Sequence, residues 1–328
     1  MTCPKCQHSN TKKFGYTRSK IQRFRCRDCS VTFSPVQSRP LGNHTTKIDQ
    51  AVLALTMMLE GMSIRSIARV TGLHKQTIGA LLLTAGAQAA TVFDQRVRNL
   101  KTRRIQCDEM WGYTYAKRST VKRNAKILEK HPDAGDAWLW TAIDADSKLI
   151  ASFHVGDRDA ASAYPFLTDL ESRLSRRVQI TTDSLQAYRR AIDSCFAEVD
   201  FAMLHKIYAW QTPETAGGEN RYSPPRVVGT RTKVIIGDPN PAHISTSYIE
   251  RHNLTVRMQL RRFTRLTNGF SKKRIYLEAA VALFMAHYNF CRMHSTVRMT
   301  PAMAAGVTDH IWTLQELLTV ATERREAA

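Results

Sequence analysis

The chain has 328 residues, 43 % of them hydrophobic, and a formal net charge of +20. That hydrophobic share excludes a disordered chain, and the length leaves room for two or three domains. The longest apolar runs, about ten residues, are too short to cross a bilayer. The charge is uneven: residues 1–104 hold 18 Lys and Arg against 4 Asp and Glu, residues 105–240 hold 18 of each, and residues 241–328 hold 12 against 6. Such a surplus exceeds the roughly 2–8 charges that suffice for the solubility of a small domain. A basic front and rear favour a polyanion, with nucleic acid first, over a membrane surface, for which no amphipathic anchor stands out. Met1-Thr2-Cys3-Pro4-Lys5-Cys6 is no signal peptide, so a cytoplasmic location is expected.

Four of the seven cysteines form two CxxC pairs, Cys3/Cys6 and Cys26/Cys29, with 19 residues between them. A two-residue gap lets both sulfurs of a pair point at one centre, so four thiolates would hold one structural zinc in a ribbon or knuckle over 1–38. Two disulfides or a redox CxxC are the alternatives; a cytosolic chain argues against the first, and the presence of two pairs against the second. Three short helical patterns follow within 45–100. The first is Ile48–Glu60, the second begins after Ser63, and the third is His74–Leu83 beyond a tight Thr71-Gly72-Leu73 turn. That is helix-turn-helix spacing, with His74, Lys75, Gln76 and Thr77 where a recognition helix presents base-reading side chains. An ordinary three-helix packing unit fits the same pattern.

From Arg104 the period changes to two. A strand over 104–116 is predicted, then a basic loop Lys117–Lys130, then two strands turned at Asp144–Lys148. A helix over 159–174, a strand ending in Asp183, a helix over 184–196 and a short strand near Asp200 come next. The Pro- and Gly-rich residues 204–245 are expected to be an insertion, and helices Tyr248–Arg265 and Lys273–Tyr288 close the region. Residues 311–328 are left as a C-terminal tail. This α/β order implies a mixed sheet flanked by helices over 101–310. It is the element order of a ribonuclease H-like fold, in which the first and fourth strands are central neighbours. Asp108 and Asp183 would then meet, with Glu250 opening a later helix. Three such carboxylates can bind two Mg²⁺ ions, because hard cations take oxygen ligands. Each has a plainer use: polar strand face for Asp108, helix N-cap for Asp183, dipole partner for Glu250. Glu109 points to the opposite strand face and reads as structural.

The cysteine pairs, the helix-turn-helix and the stretches "QCDEMW", "TTDSLQAY", "STSYIERHNLTVRMQLRRFTRLTNGFSK" and "HYNFCRMHSTVRMTPAMAAGVTDHIW" resemble the bacterial DDE transposases, and are most similar to the insertion sequence 1 family. The resemblance spans nearly the whole chain. It implies a ribonuclease H-like catalytic core, Mg²⁺- or Mn²⁺-dependent strand cleavage and transfer, and recognition of inverted repeats in double-stranded DNA. It also places Asp108, Asp183 and Glu250 at the acidic triad. On a helix turning about 100° per residue from Ile249, Val256, Leu260, Phe263 and Phe270 form the buried stripe. Glu250, Arg257 and Arg261 share an adjacent face, so the two arginines are expected to hold DNA phosphates beside the metal ligand. Synapsis of two ends makes a homodimer or larger assembly the expectation. Two other functions fit: a DNA-binding regulator whose acids are structural, and a nuclease or resolvase that cuts without joining.

Overall fold

The computed structural model describes residues 1–17, 20–35, 40–42, 44–209 and 227–323. The front is a three-stranded antiparallel sheet of β1 (Thr11–Tyr16), β2 (Gln22–Cys26) and β3 (Thr32–Phe33). β1 is largely exposed, β2 and β3 are mostly half-buried, and Phe24 stacks on Phe33 at 6.1 Å between centroids. An apolar content this small cannot by itself hold the sheet together.

Helix α1 (Ile48–Leu59) leads into α2 (Ile64–Thr71), which Ser63 caps by accepting the amide of Ser66 at 3.1 Å. Gly72 ends α2 at a φ of +71°, a left-handed position that favours glycine. Helix α3 (Lys75–Arg96) opens behind His74, whose Nδ1 accepts the Gln76 amide at 3.3 Å. It runs thirteen residues beyond the expected end at Leu83. Residues 84–96 contain no proline, and they bury Ala85, Ala89, Val92 and Phe93, so packing carries the helix onward. By length and composition α3 could cross a membrane, but half of its apolar stretch is buried within the fold.

The main sheet has six strands in the order β6-β5-β4-β7-β8-β9. They are β4 (Arg104–Thr114), β5 (Gly135–Asp144), β6 (Ile150–Gly156), β7 (Val178–Thr182), β8 (Val199–Tyr208) and β9 (Val227–Ile236). β4 pairs antiparallel with β5 and parallel with β7, so the first and fourth strands lie side by side at the centre as expected. The basic 117–130 stretch forms two short helices, α4 (Arg118–Arg123) and α5 (Lys126–Lys130). Helices α6 (Ala160–Arg173) and α7 (Gln186–Cys195) cover one sheet face, with Trp140 against Phe166 and Tyr188. The stretch read as an insertion contributes to the sheet: β8 runs on to Tyr208 and β9 pairs along it. Residues 210–226 of that stretch lie outside the described residues.

Helix α8 (Ser247–Gln259) covers the other face and is shorter than the Tyr248–Arg265 expectation. Leu260 turns extended, with φ −94° and ψ 95°, and a 3₁₀ turn at Arg261–Phe263 follows. The break lets Phe263 drop onto Gly112 of β4, where a Cβ would meet its ring at 2.7 Å. Phe270 therefore leaves the expected stripe and packs on Tyr113 instead, at 4.9 Å. The long α9 (Arg274–Phe290) is buried along most of its length, and the short α10 (Pro301–Ala304) follows it. The expected tail includes α11 (Leu314–Glu323), whose Leu317 and Leu318 are fully buried, and Trp312 packs on Phe290 at 4.7 Å. Apolar side chains at 314, 317 and 318 lie on one helical face, which is why this segment docks. The core is continuous from Leu55 through Leu82 and Phe284 to Ile180.

Candidate active site and nucleic-acid interface

Because β4 and β7 pair in parallel, Asp108 and Asp183 reach the same region of the sheet. Asp183 follows the last residue of β7, and its Oδ1 accepts the Leu185 amide at 2.9 Å, so it also shapes the turn into α7. Asp108 faces α8, where Asn253 Nδ2 donates to its Oδ2 at 2.7 Å. Glu109 does look to the other face: it accepts Arg158 Nε at 2.7 Å and the Tyr188 hydroxyl at 3.2 Å. Yet one oxygen each from Asp108, Glu109 and Asp183 lie within 4.8 Å of one another. Glu250 stands outside that group, in the first turn of α8. Its carboxylate accepts Thr246 Oγ1 at 2.6 Å and pairs with Lys206 of β8.

Burial pushes the Asp108 carboxyl up to about 7, and the charges of Asp183 and Glu250 push the same way, while Arg158 opposes them. Burial, then Asp183 and Asp108, also raise Glu109 against the pull of Arg158. Arg158 serves two acids, lying 3.6 Å from Asp183, and rests over the Trp138 ring at 4.9 Å. Four carboxylates thus share Arg158 and Lys206. An all-oxygen donor set with surplus negative charge fits a hard divalent cation.

Arg257 is half-buried on α8. Burial and the charge of Arg265 lower its guanidinium, while Asp108 raises it, which puts Arg257 within electrostatic reach of the acids. Arg261 lies past the helix end, with its backbone oxygen against Gly269, so the two arginines do not form the expected helical stripe. Arg262 is tied into the fold through Nε to Ser271 Oγ at 2.9 Å. His74, Lys75 and Gln76 are exposed and Thr77 half-exposed at the start of α3, on a different element from the carboxylates. At the front, Cys3 and Cys29 sulfurs are 3.5 Å apart, as are those of Cys6 and Cys26, and all four lie within 4.8 Å. This is far from the roughly 2.05 Å of a disulfide and near the roughly 3.8 Å edge of a tetrahedron with 2.3 Å zinc–sulfur bonds.

Residues 134–224 match the family model described as a DDE domain, of the IS240 transposase type. Over those residues the chain is similar to a DDE domain. The match supports a DDE transposase, and such a domain implies divalent-metal catalysis. It contains Asp183, whereas Asp108 and Glu250 flank it. The chain is also similar to a piggyBac transposase solved as a synaptic complex with hairpin DNA: 9 % identity over 87 % of this chain and 74 % of that one, with a TM-score of 0.33. That score is below the level of a shared overall architecture. No curated protein matches the chain.

Several residues at this site carry little sequence signal. Asn253 was legible in principle, three residues after Glu250 on one helix and so near the same face. Arg158 and Lys206 come from separate strand ends and needed the topology. An aromatic row also lies along β4: Trp111 on Tyr113 at 5.5 Å, Tyr113 on Phe270 at 4.9 Å, with Lys117 and Lys272 over the rings. Only the alternation of Trp111 and Tyr113 hinted at it.

Proposed function

We propose that the chain is a DNA transposase that binds the terminal inverted repeats of an insertion sequence, cuts at the element ends and joins them to target DNA. One observation carries the reading: Asp108 and Asp183 converge from adjacent parallel strands with the Glu250 charge beside them, inside a chain with a DDE domain. Asp108, Asp183 and Glu250 are the proposed ligands of Mg²⁺ or Mn²⁺. An ion held there would supply Lewis-acid polarisation of the scissile phosphate and activation of the attacking water or 3′-OH oxygen. Asn253 orients Asp108 through its hydrogen bond, and Arg158 fixes Glu109 and steadies Asp183. Arg257 offers a cation to a phosphate lying beside Asp108.

The four thiolates are proposed to hold one structural zinc, and α2–α3 to act as the helix-turn-helix that reads the ends through Lys75 and Gln76. The cysteine front is similar to the insertion sequence 1 family of bacteria, and the DDE match is of the IS240 type. The protein would act in the cytoplasm on double-stranded DNA, as a dimer or larger assembly. The test is nicking of an end-containing duplex in Mg²⁺ beside binding in Ca²⁺, then strand transfer with pre-cleaved ends. Mg²⁺-dependent nicking and joining are expected. Binding without nicking would leave a regulator, and nicking without joining a nuclease.

A further inference from the structure

A cavity of about 440 Å³ lies beside α8, between it, the β5–β6 turn and the segment after α9. Three cations line it: Lys148 from the turn, Arg251 from α8 and Arg292 from beyond α9. Among the described residues that line it, none is acidic. His252 lines it too, at 2 % exposure, and neither of its ring nitrogens has a hydrogen-bond partner among the described residues. A buried imidazole with an unmet N–H is costly unless something polar enters to accept it.

The walls are built rather than incidental. Lys148 is 5 % exposed and holds a φ of +65°, a position where a turn normally takes glycine or asparagine. Its ammonium sits 3.3 Å from the Tyr248 ring centroid and donates to the Ala145 carbonyl. Tyr288 presses edge-on against His252 at 4.6 Å. Surrounding hydroxyls, Ser247 and Thr255 among them, add neutral donors. Three cations, one unmet imidazole and hydroxyls, without a carboxylate, are the chemistry of a phosphate site.

We propose that this cavity binds a backbone phosphate of the DNA, on the flank of α8 away from the carboxylates. The assignment to DNA rests on the function proposed above; the phosphate chemistry does not. Residues 250–253 would then serve two sites: Glu250 and Asn253 toward the acids, Arg251 and His252 toward the anion. A strand held in the cavity would lie across the start of the helix that carries Glu250.

Two measurements on the full chain test it. In the first, imidazole NMR resonances of His252 and His294, assigned by their loss in His252→Phe and His294→Gln, are followed at fixed pH as inorganic phosphate and then end-containing duplex are added. Saturable shifts with both probes are expected, with the phosphate shift at least tenfold weaker in Arg251→Ala. In the second, the salt dependence of duplex binding should flatten by about one charge in Arg251→Ala, since each neutralised phosphate contributes a slope of about −0.9. No shift at His252 with either probe overturns the site. A shift with phosphate but not duplex, or an unchanged salt slope, overturns its assignment to DNA. Mg²⁺-dependent nicking by the unaltered chain is scored separately, so failure of the cavity and failure of the transposase reading give different results.

Discussion

Glu250 and Lys206 meet as an ion pair between α8 and β8, so the carboxylate is already satisfied by a neighbouring cation. A divalent ion has to compete with that ammonium. Glu250→Gln keeps the size and the Thr246 contact but removes the charge a Mg²⁺ ligand needs. Nicking and strand transfer should fall below detection, while binding of end DNA in Ca²⁺ stays near normal. A variant that still nicks at a tenth of the normal rate would make Glu250 a first-turn dipole partner, with Glu109 the next carboxylate to test. Asp108 supplies an independent check through stability. Its carboxyl is raised from an ordinary 3.8 to about 7, so its contribution is full below 3.8 and is lost as pH rises through 7. Without added divalent ions, melting temperature should therefore fall between about pH 4 and 7.5 by this contribution. Mg²⁺ at ten times its dissociation constant should restore about 1.4 kcal/mol at pH 7.5. A melting temperature indifferent to Mg²⁺ at pH 7.5 would remove the carboxylates from metal binding.

At the scale of elements, the strands were the most legible part. Period-two alternation located β4 to β7, and their order alone brought Asp108 beside Asp183. The helices were less so, because their ends are set by tertiary contacts. Residues 248–265 keep a helical apolar period throughout, yet Leu260 breaks it so that Phe263 can pack on Gly112. No local residue marks that break. The continuation of α3 past Leu83 and the docking of α11 depend on partners that a linear reading cannot see. The partners of the acids were hidden for the same reason, since Arg158 and Lys206 become neighbours only once the sheet is assembled. Buried polar joints between elements are similarly silent. Asn289 is fully buried on α9, where its Oδ1 accepts the Ile150 amide and its Nδ2 donates to the Ile150 carbonyl, both at 2.9 Å. It thus pairs the edge strand β6 with a helix. Asn289→Ala leaves two buried backbone groups unmet and should cost roughly 2–4 kcal/mol. Denaturant unfolding would show this, and a loss under about 0.5 kcal/mol would mean water replaces the amide.

The whole molecule is joined through α3. This helix starts with the proposed end-reading residues, and further along it packs against α9, which is anchored to the main sheet through Asn289. Gly86 sits at the crossing: a Cβ there would fall 2.5 Å from the backbone oxygen of Ala279 and 2.6 Å from its Cα. Neither atom belongs to a side chain that can swing away. At an ordinary helix position Gly→Ala stabilises by up to about 1 kcal/mol. Here steric pressure on the facing backbone should reverse the sign, so that Gly86→Ala loses about 1–3 kcal/mol through forced separation of α3 from α9. Gly79, two turns earlier, is the internal control. Its Cβ would meet only the edge of the Tyr276 ring at 3.3 Å, and that ring can yield by a few tenths of an ångström. Urea unfolding should therefore place Gly86→Ala clearly below the parent chain and Gly79→Ala within about 1 kcal/mol of it. The same pair separates reading from cutting. If α3 carries the position of bound ends to the carboxylates, Gly86→Ala should reduce nicking more than it reduces binding of end DNA, because Lys75 and Gln76 remain exposed while the crossing behind them shifts. Equal losses in both assays would mean that α3 is only a structural strut, and a Gly86→Ala protein as stable as the parent would show that the crossing is looser than its 2.5 Å approach implies.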